Sequence, residues 1–84
     1  MRRRVTAEDS MQAALRVLGA RGGLSRAEVY SAMTARRAWT WSDVNSALQS
    51  LQDIGRVHCV FGRFYTTPSA ARAALESRFA ELSA

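Results

Sequence analysis

The sequence predicts a mainly α-helical domain with one small β-hairpin: a three-helix core, a short hairpin and an extra C-terminal helix. Three observations predict it. Four segments carry apolar residues at helical spacing, each introduced by a residue suited to a helix start. Two β-prone runs, Arg56 to Val60 and Arg63 to Thr67, flank Phe61-Gly62 and read as a hairpin. Between the second helix and that hairpin lies Thr40 to Val57, TWSDVNSALQSLQDIGRV, with an apolar back and a polar front.

The first helix opens at Thr6-x-x-Asp9, a capping box with Asp in place of Glu, and its stripe is Met11, Ala14, Leu15 and Leu18. Gly19 and the Gly22-Gly23 pair are expected to end it. Ahead of it, Arg2, Arg3 and Arg4 make residues 1–6 a basic arm. Such an arm is either a solvated terminus or a segment that reaches a nucleic-acid groove. The second helix starts with the fuller capping box Ser25-Arg26-Ala27-Glu28. Leu24 is placed to staple onto Val29, and Val29, Tyr30 and Met33 face inward. It runs to about Thr34, and the turn 35–38 leads to Trp39, an expected core indole stapled against Val44.

The third helix begins at Thr40-x-x-Asp43. Val44, Ala47, Leu48 and Leu51 fall at i, i+3, i+4 and i+7 and face a core. The other side shows Ser42, Asn45, Ser46, Gln49 and Gln52, all able to hydrogen-bond. Trp41 lies off the apolar stripe, either exposed toward a partner or resting partly on the second helix. Gly55 ends the helix in a left-handed cap. In the hairpin, alternation places Val57 and Cys59 on one face and His58 and Val60 on the other. Thr67-Pro68 then starts a fourth helix with threonine as N-cap and proline at the first turn. Its stripe of Ala71, Leu75, Phe79 and Leu82, with Ala74 beside it, either completes the core or pairs with a second copy.

Composition narrows the function. Eighty-four residues make one small domain, 48% hydrophobic and 23% charged. A chain of this size removes only a little more than ~60% of its unfolded surface from water, leaving no room for a deep catalytic cleft. No apolar run approaches the ~20 residues of a membrane span, and the start lacks the apolar stretch of a secretory signal. The single cysteine, Cys59, allows no internal disulfide and fits a reducing cytoplasm. The formal net charge is +5, with every one of the 12 basic residues an arginine. That balance favours an acidic partner, nucleic acid above all, although a GC-rich genome also explains the absence of lysine.

No catalytic constellation is visible. His58 and Cys59 are neighbours on an expected strand, so their side chains diverge and make no nucleophile–base pair. One Cys and one His are too few for a structural zinc site, and Arg21-Gly22-Gly23 is a turn rather than a phosphate loop. No enzyme activity, metal or cofactor is expected.

The order helix, helix, helix, hairpin resembles the winged helix-turn-helix superfamily of bacterial and phage transcription regulators. The pattern Val44-x-x-x-Leu48-x-x-Leu51-x-x-x-Gly55-x-Val57 looks like that family's recognition helix running through a glycine into the first wing strand. The resemblance spans residues 7–67, with 68–84 an added C-terminal helix and potential dimerisation element. It implies sequence-specific binding of double-stranded DNA by a small cytoplasmic regulator, with helix 40–54 in the major groove. Trp41, Ser42, Asn45, Ser46 and Gln49 would then face bases, since Asn and Gln pair two ways with adenine. Arg26, Arg36, Arg37 and Arg63 would hold phosphates and set the register.

One departure from the family counts against DNA. The helix from Thr40 to Asp53 has no arginine and carries Asp43 and Asp53; the first is excused as a capping carboxylate. The alternative is a winged-helix module that binds another protein, as a phage-encoded inhibitor or adaptor subunit, through Trp41 and a spare face of the last helix.

Overall fold

The computed structural model of the protein describes residues 7–83, so the basic arm at Arg2–Arg4 and the Thr6 cap lie outside the described residues. Among them are four helices and a small three-stranded antiparallel sheet. The chain order is α1 (Ala7–Ala20), β1 (Leu24–Ser25), α2 (Arg26–Thr34), α3 (Trp41–Asp53), β2 (His58–Val60), β3 (Arg63–Tyr65) and α4 (Pro68–Ser83). No helix among the described residues is long and apolar enough to cross a membrane.

Local chemistry sets the helix ends. Ser25 and Thr40 each form the reciprocal capping box, with Glu28 and Asp43 as the returning carboxylates. Thr67 caps α4, its Oγ1 accepting the Ala70 N–H at 3.1 Å. α3 closes in a Schellman motif: the Gly55 N–H donates to Gln52 O at 3.0 Å and the Arg56 N–H to Leu51 O at 2.9 Å. Gly55 sits at φ 77°, which that motif demands. Gly19 behaves otherwise. It stays inside α1, which runs one residue past it to Ala20, because the helix is held by Ala14 and Leu18, both buried.

β1 is a difference from the sequence expectation. Leu24 belongs to a two-residue strand paired with Phe64, and the sheet order is β1-β3-β2. A strand this short has no alternation to read. It exists because the Gly23 N–H donates to Phe64 O at 2.9 Å and Arg63 Nη1 donates to Gly23 O at 2.7 Å. β2 and β3 pair through Val60 and Arg63 about the two-residue loop Phe61-Gly62. Both loop residues have positive φ, 49° and 77°, the mark of a type I′ turn whose twist matches the strands.

One core gathers behind these elements. α1 contributes Ala14 and Leu18, α2 Val29 and Met33, and α3 Val44, Ala47, Leu48 and Leu51, with Leu24, Trp39, Val57 and Phe64 completing the cluster. Trp39 is buried as expected, at 7% exposure. Cys59 is not where alternation put it: Val57 is buried but Cys59 is exposed. The Val57 N–H still bonds the Leu51 carbonyl, so Val57 belongs to the helix exit and the strand phase starts only at His58.

α4 adds little to this core. It packs on β2 and β3, and only Ala71 of its stripe is buried.

Two glycines with equally open surroundings are expected to respond in opposite directions. A Cβ would meet nothing within 4 Å at Gly19 or Gly55, but only Gly55 has positive φ. Gly55→Ala is expected to cost about 1–2 kcal/mol, and Gly19→Ala to add up to about 1 kcal/mol through helix propensity. Thermal denaturation reads both. A second expectation concerns acid. The Glu28 carboxylate is held below its usual range first by the Ser25 backbone N–H, then by the Ser25 side chain, against slight desolvation and with help from Arg63 and Arg21. A lowered folded pKa contributes stability that is complete above the unfolded value and is lost as pH falls through the folded one. Glu28→Gln is expected to flatten that part of the acid denaturation curve.

Candidate functional site

α3 is fixed at both ends and along its back, so its front is a rigid surface. Ser42, Ser46 and Gln49 are exposed along it. Two side chains are less free than a helical wheel implies. Asn45 is half-buried and its Oδ1 is enclosed without a hydrogen-bond partner. A two-point amide pairing needs that oxygen, so Asn45 cannot make one in this rotamer. Gln49 is exposed, but its Nε2 donates to Asp53 Oδ1 at 2.9 Å. The carboxylate orients the amide and leaves Oε1 and the second N–H to face outward. Gln52 is drawn back to the helix, its Nε2 donating to Leu48 O at 3.3 Å.

Asp43 stands at the start of α3 as its capping carboxylate. Its Oδ2 accepts the Thr40 N–H at 2.9 Å, so the carboxylate is spent on the helix start. Trp41, one residue into the helix, is 46% exposed, and its ring lies 5.0 Å from that of Tyr30, tilted by 58°. Both sequence readings of Trp41 are therefore partly met: one side rests on α2 and the rest faces solvent.

The four expected phosphate-binding arginines are all exposed, yet three have intramolecular contacts. Arg26 lies over the buried Phe64 ring at 5.8 Å and Arg37 over Trp39 at 5.1 Å. Arg63 donates to Gly23 O and reaches Glu28 at 3.5 Å. Arg36 takes part in no ion pair among the described residues. A guanidinium stacked on a ring keeps its charge and edge donors while losing less freedom on binding. Arg36 and Arg37 also open onto a groove between α1 and α2 of about 1070 Å³, which no α3 residue lines.

Sequence reasoning assigned Tyr30 inward, where it lies partly buried against the core, and offered the second helix as a rest for Trp41, but it did not name Tyr30 as the ring that Trp41 meets. It also missed Arg56, which is exposed at the C-terminal end of α3 beside the hairpin; its place immediately after the Gly55 cap was the available signal. No group of three or more His, Cys, Asp or Glu side chains that could hold a metal ion occurs among the described residues. Comparison of the chain with protein-family models, with curated proteins and with solved structures finds no match.

Asn45 carries a measurable consequence. A buried acceptor without a partner costs about 1–3 kcal/mol, and alanine is the best helix former. Asn45→Ala is therefore expected to raise stability by about 1 kcal/mol, or roughly 4–8 °C in Tm for a domain of this size. A drop in Tm would mean that the amide makes a net favourable contact.

Proposed function

We propose that this chain is a winged helix-turn-helix domain that binds double-stranded DNA, acting as a small transcriptional regulator in a reducing cytoplasm. The observation that carries the reading is the front of α3. Ser42, Ser46 and Gln49 stand exposed on a helix clamped at both ends, in a chain of formal charge +5. The order of elements supports it: a nine-residue α2 precedes α3, and a tight hairpin follows, its inner strand paired to β1 between the first two helices.

In this reading α3 enters the major groove, which is wide enough for one helix. Gln49, already oriented by Asp53, presents an acceptor and a donor to a base edge, and Ser42 and Ser46 serve either bases or phosphates. Trp41 stacks on a sugar or meets a thymine methyl. Asn45 contributes only after its amide rotates outward. Arg26, Arg36, Arg37 and Arg63 bracket the helix on phosphates and fix its register without choosing sequence. No basic side chain on α3 assists them, so the electrostatic part of the affinity rests on these flanks.

A second reading, a winged-helix module for another protein, is favoured by one observation, the half-exposed Trp41 leaning on Tyr30. Exposed indoles are frequent anchors of protein interfaces.

Fluorescence anisotropy of labelled duplex DNA at rising salt separates the two. Four phosphate contacts predict a slope of log K against log salt of about −3.6. Arg36→Ala is expected to weaken all duplexes alike and reduce the slope by about 1. A flat, salt-independent baseline at micromolar protein refutes DNA binding. Pull-down of a stoichiometric protein, lost with Trp41→Ala but indifferent to Arg36→Ala and Arg37→Ala, establishes the second reading instead.

A further inference from the structure

α3 carries three amide side chains, Asn45, Gln49 and Gln52, and the fold leaves them unequal. Asn45 is half-buried with its Oδ1 enclosed. Gln52 is half-buried too, and its Nε2 donates back to Leu48 O at 3.3 Å. Gln49 is the exposed one, and its Nε2 donates to Asp53 Oδ1 at 2.9 Å. A carboxylate in the last turn opposes the helix dipole, so Asp53 adds nothing to the stability of α3 by its position. Among the described residues its hydrogen-bond partner is Gln49.

That bond has a polarity. An ionised carboxylate only accepts, so the amide must turn its NH2 toward Asp53 and its Oε1 away. Turning the amide over would set two oxygens against each other. Adenine offers the major groove a donor at N6 beside an acceptor at N7, whereas guanine offers two acceptors, O6 and N7. An amide pairs with adenine through its oxygen and the N–H on the same side, and the carboxylate needs only the other N–H. An outward Oε1 therefore suits adenine and is repelled by guanine O6. The side chains that read guanine best, arginine and lysine, are absent from α3.

We infer that Asp53 is a positioning residue for base choice: it locks the Gln49 amide with its oxygen outward and commits that part of α3 to adenine. The inference rests on the DNA reading given above and explains a feature that otherwise opposes it. An exposed carboxylate on the reading helix weakens attraction to every duplex alike, and α3 has no basic side chain to offset it. Asp53 exchanges general affinity for selectivity at one base pair.

The test begins with a pool of random duplexes enriched on the full wild-type chain, followed by anisotropy on the selected duplex and its single-pair variants. Gln49→Ala marks the pair that Gln49 reads, because preference flattens there and persists elsewhere. That pair is expected to be A·T, favoured over G·C by about 5- to 150-fold. Asp53→Ala and Asp53→Asn are then expected to move two quantities in opposite directions. Preference at that pair falls about threefold or more as the amide gains its second orientation, while affinity for all duplexes rises about 2- to 5-fold as a negative charge leaves the interface. Asp53→Glu keeps a carboxylate one turn from Gln49 and should retain most of the preference. Asp53 is exposed, so Tm should not fall in any of the three. A marked pair other than A·T, a preference that survives Asp53→Ala, or affinity and preference falling together overturns the inference while DNA binding stands. A pool that yields no enriched duplex, with a flat anisotropy baseline, overturns the DNA reading and this inference with it.

Discussion

The structure depends on the removal of one face of α3 from water. Val44, Ala47, Leu48 and Leu51 are each at most 1% exposed, and burying side chains such as Val or Leu contributes about 1.5–3 kcal/mol apiece. The caps at Thr40 and Gly55 are each worth about 1 kcal/mol and decide where the helix begins and ends, not whether it exists. α1 and α2 both pack on α3, and the hairpin leaves directly from its Schellman turn, with Val57 still tied to Leu51. The position of every other element is therefore measured from this helix. Its polar front is a consequence: once the back is committed inward, Ser42, Ser46 and Gln49 have no choice but to face out.

Electrostatics follow the same division between frame and front. Arginines on the frame are braced rather than loose. Arg26 is stacked on Phe64, Arg37 on Trp39 and Arg78 on Phe61, while Arg63 links the hairpin to the start of α2 through Gly23 and Glu28. Each of these planar cations is held by a ring or a carbonyl without being neutralised, apart from the exposed contacts to Glu28 and Glu81. Lysine in these positions would keep the charge and lose the flat contact. The carboxylates nearest the front are both engaged locally, Asp43 by the Thr40 N–H and Asp53 by the Gln49 amide. Both carboxylates keep their charge, Asp43 at the helix start and Asp53 exposed beside Gln49, while the positive charge sits at the margins of α3.

What could be read from the chain beforehand divides by range. The caps at Ser25, Thr40 and Thr67 and the turn at Gly55 were legible because each is decided within four or five residues. The stripe of α3 was legible because it runs unbroken over two turns. β1 was not, because two residues carry no period and the strand is defined by Phe64, forty positions away. Asn45 was misjudged for a related reason. A helical wheel assigns it to the front, whereas its flank is the one on which Trp41 leans toward Tyr30 of α2. The groove between α1 and α2 was invisible as well, since Ala13, Ala27 and Ala32 look like ordinary helix formers until α1 and α2 bring them to one groove. For α4, an apolar stripe reads the same whether it is covered or bare.

That last ambiguity has a physical weight of its own. The radius of gyration is 13.9 Å, against about 12 Å for a compact chain of this length. With the outer half of α4 contributing nothing to the core, the first three helices and the sheet carry the fold largely alone. Small domains have few contacts to spare, so three large apolar side chains left in water on one helix face are a cost in solubility without a gain in stability. A covering surface converts that cost into a contact.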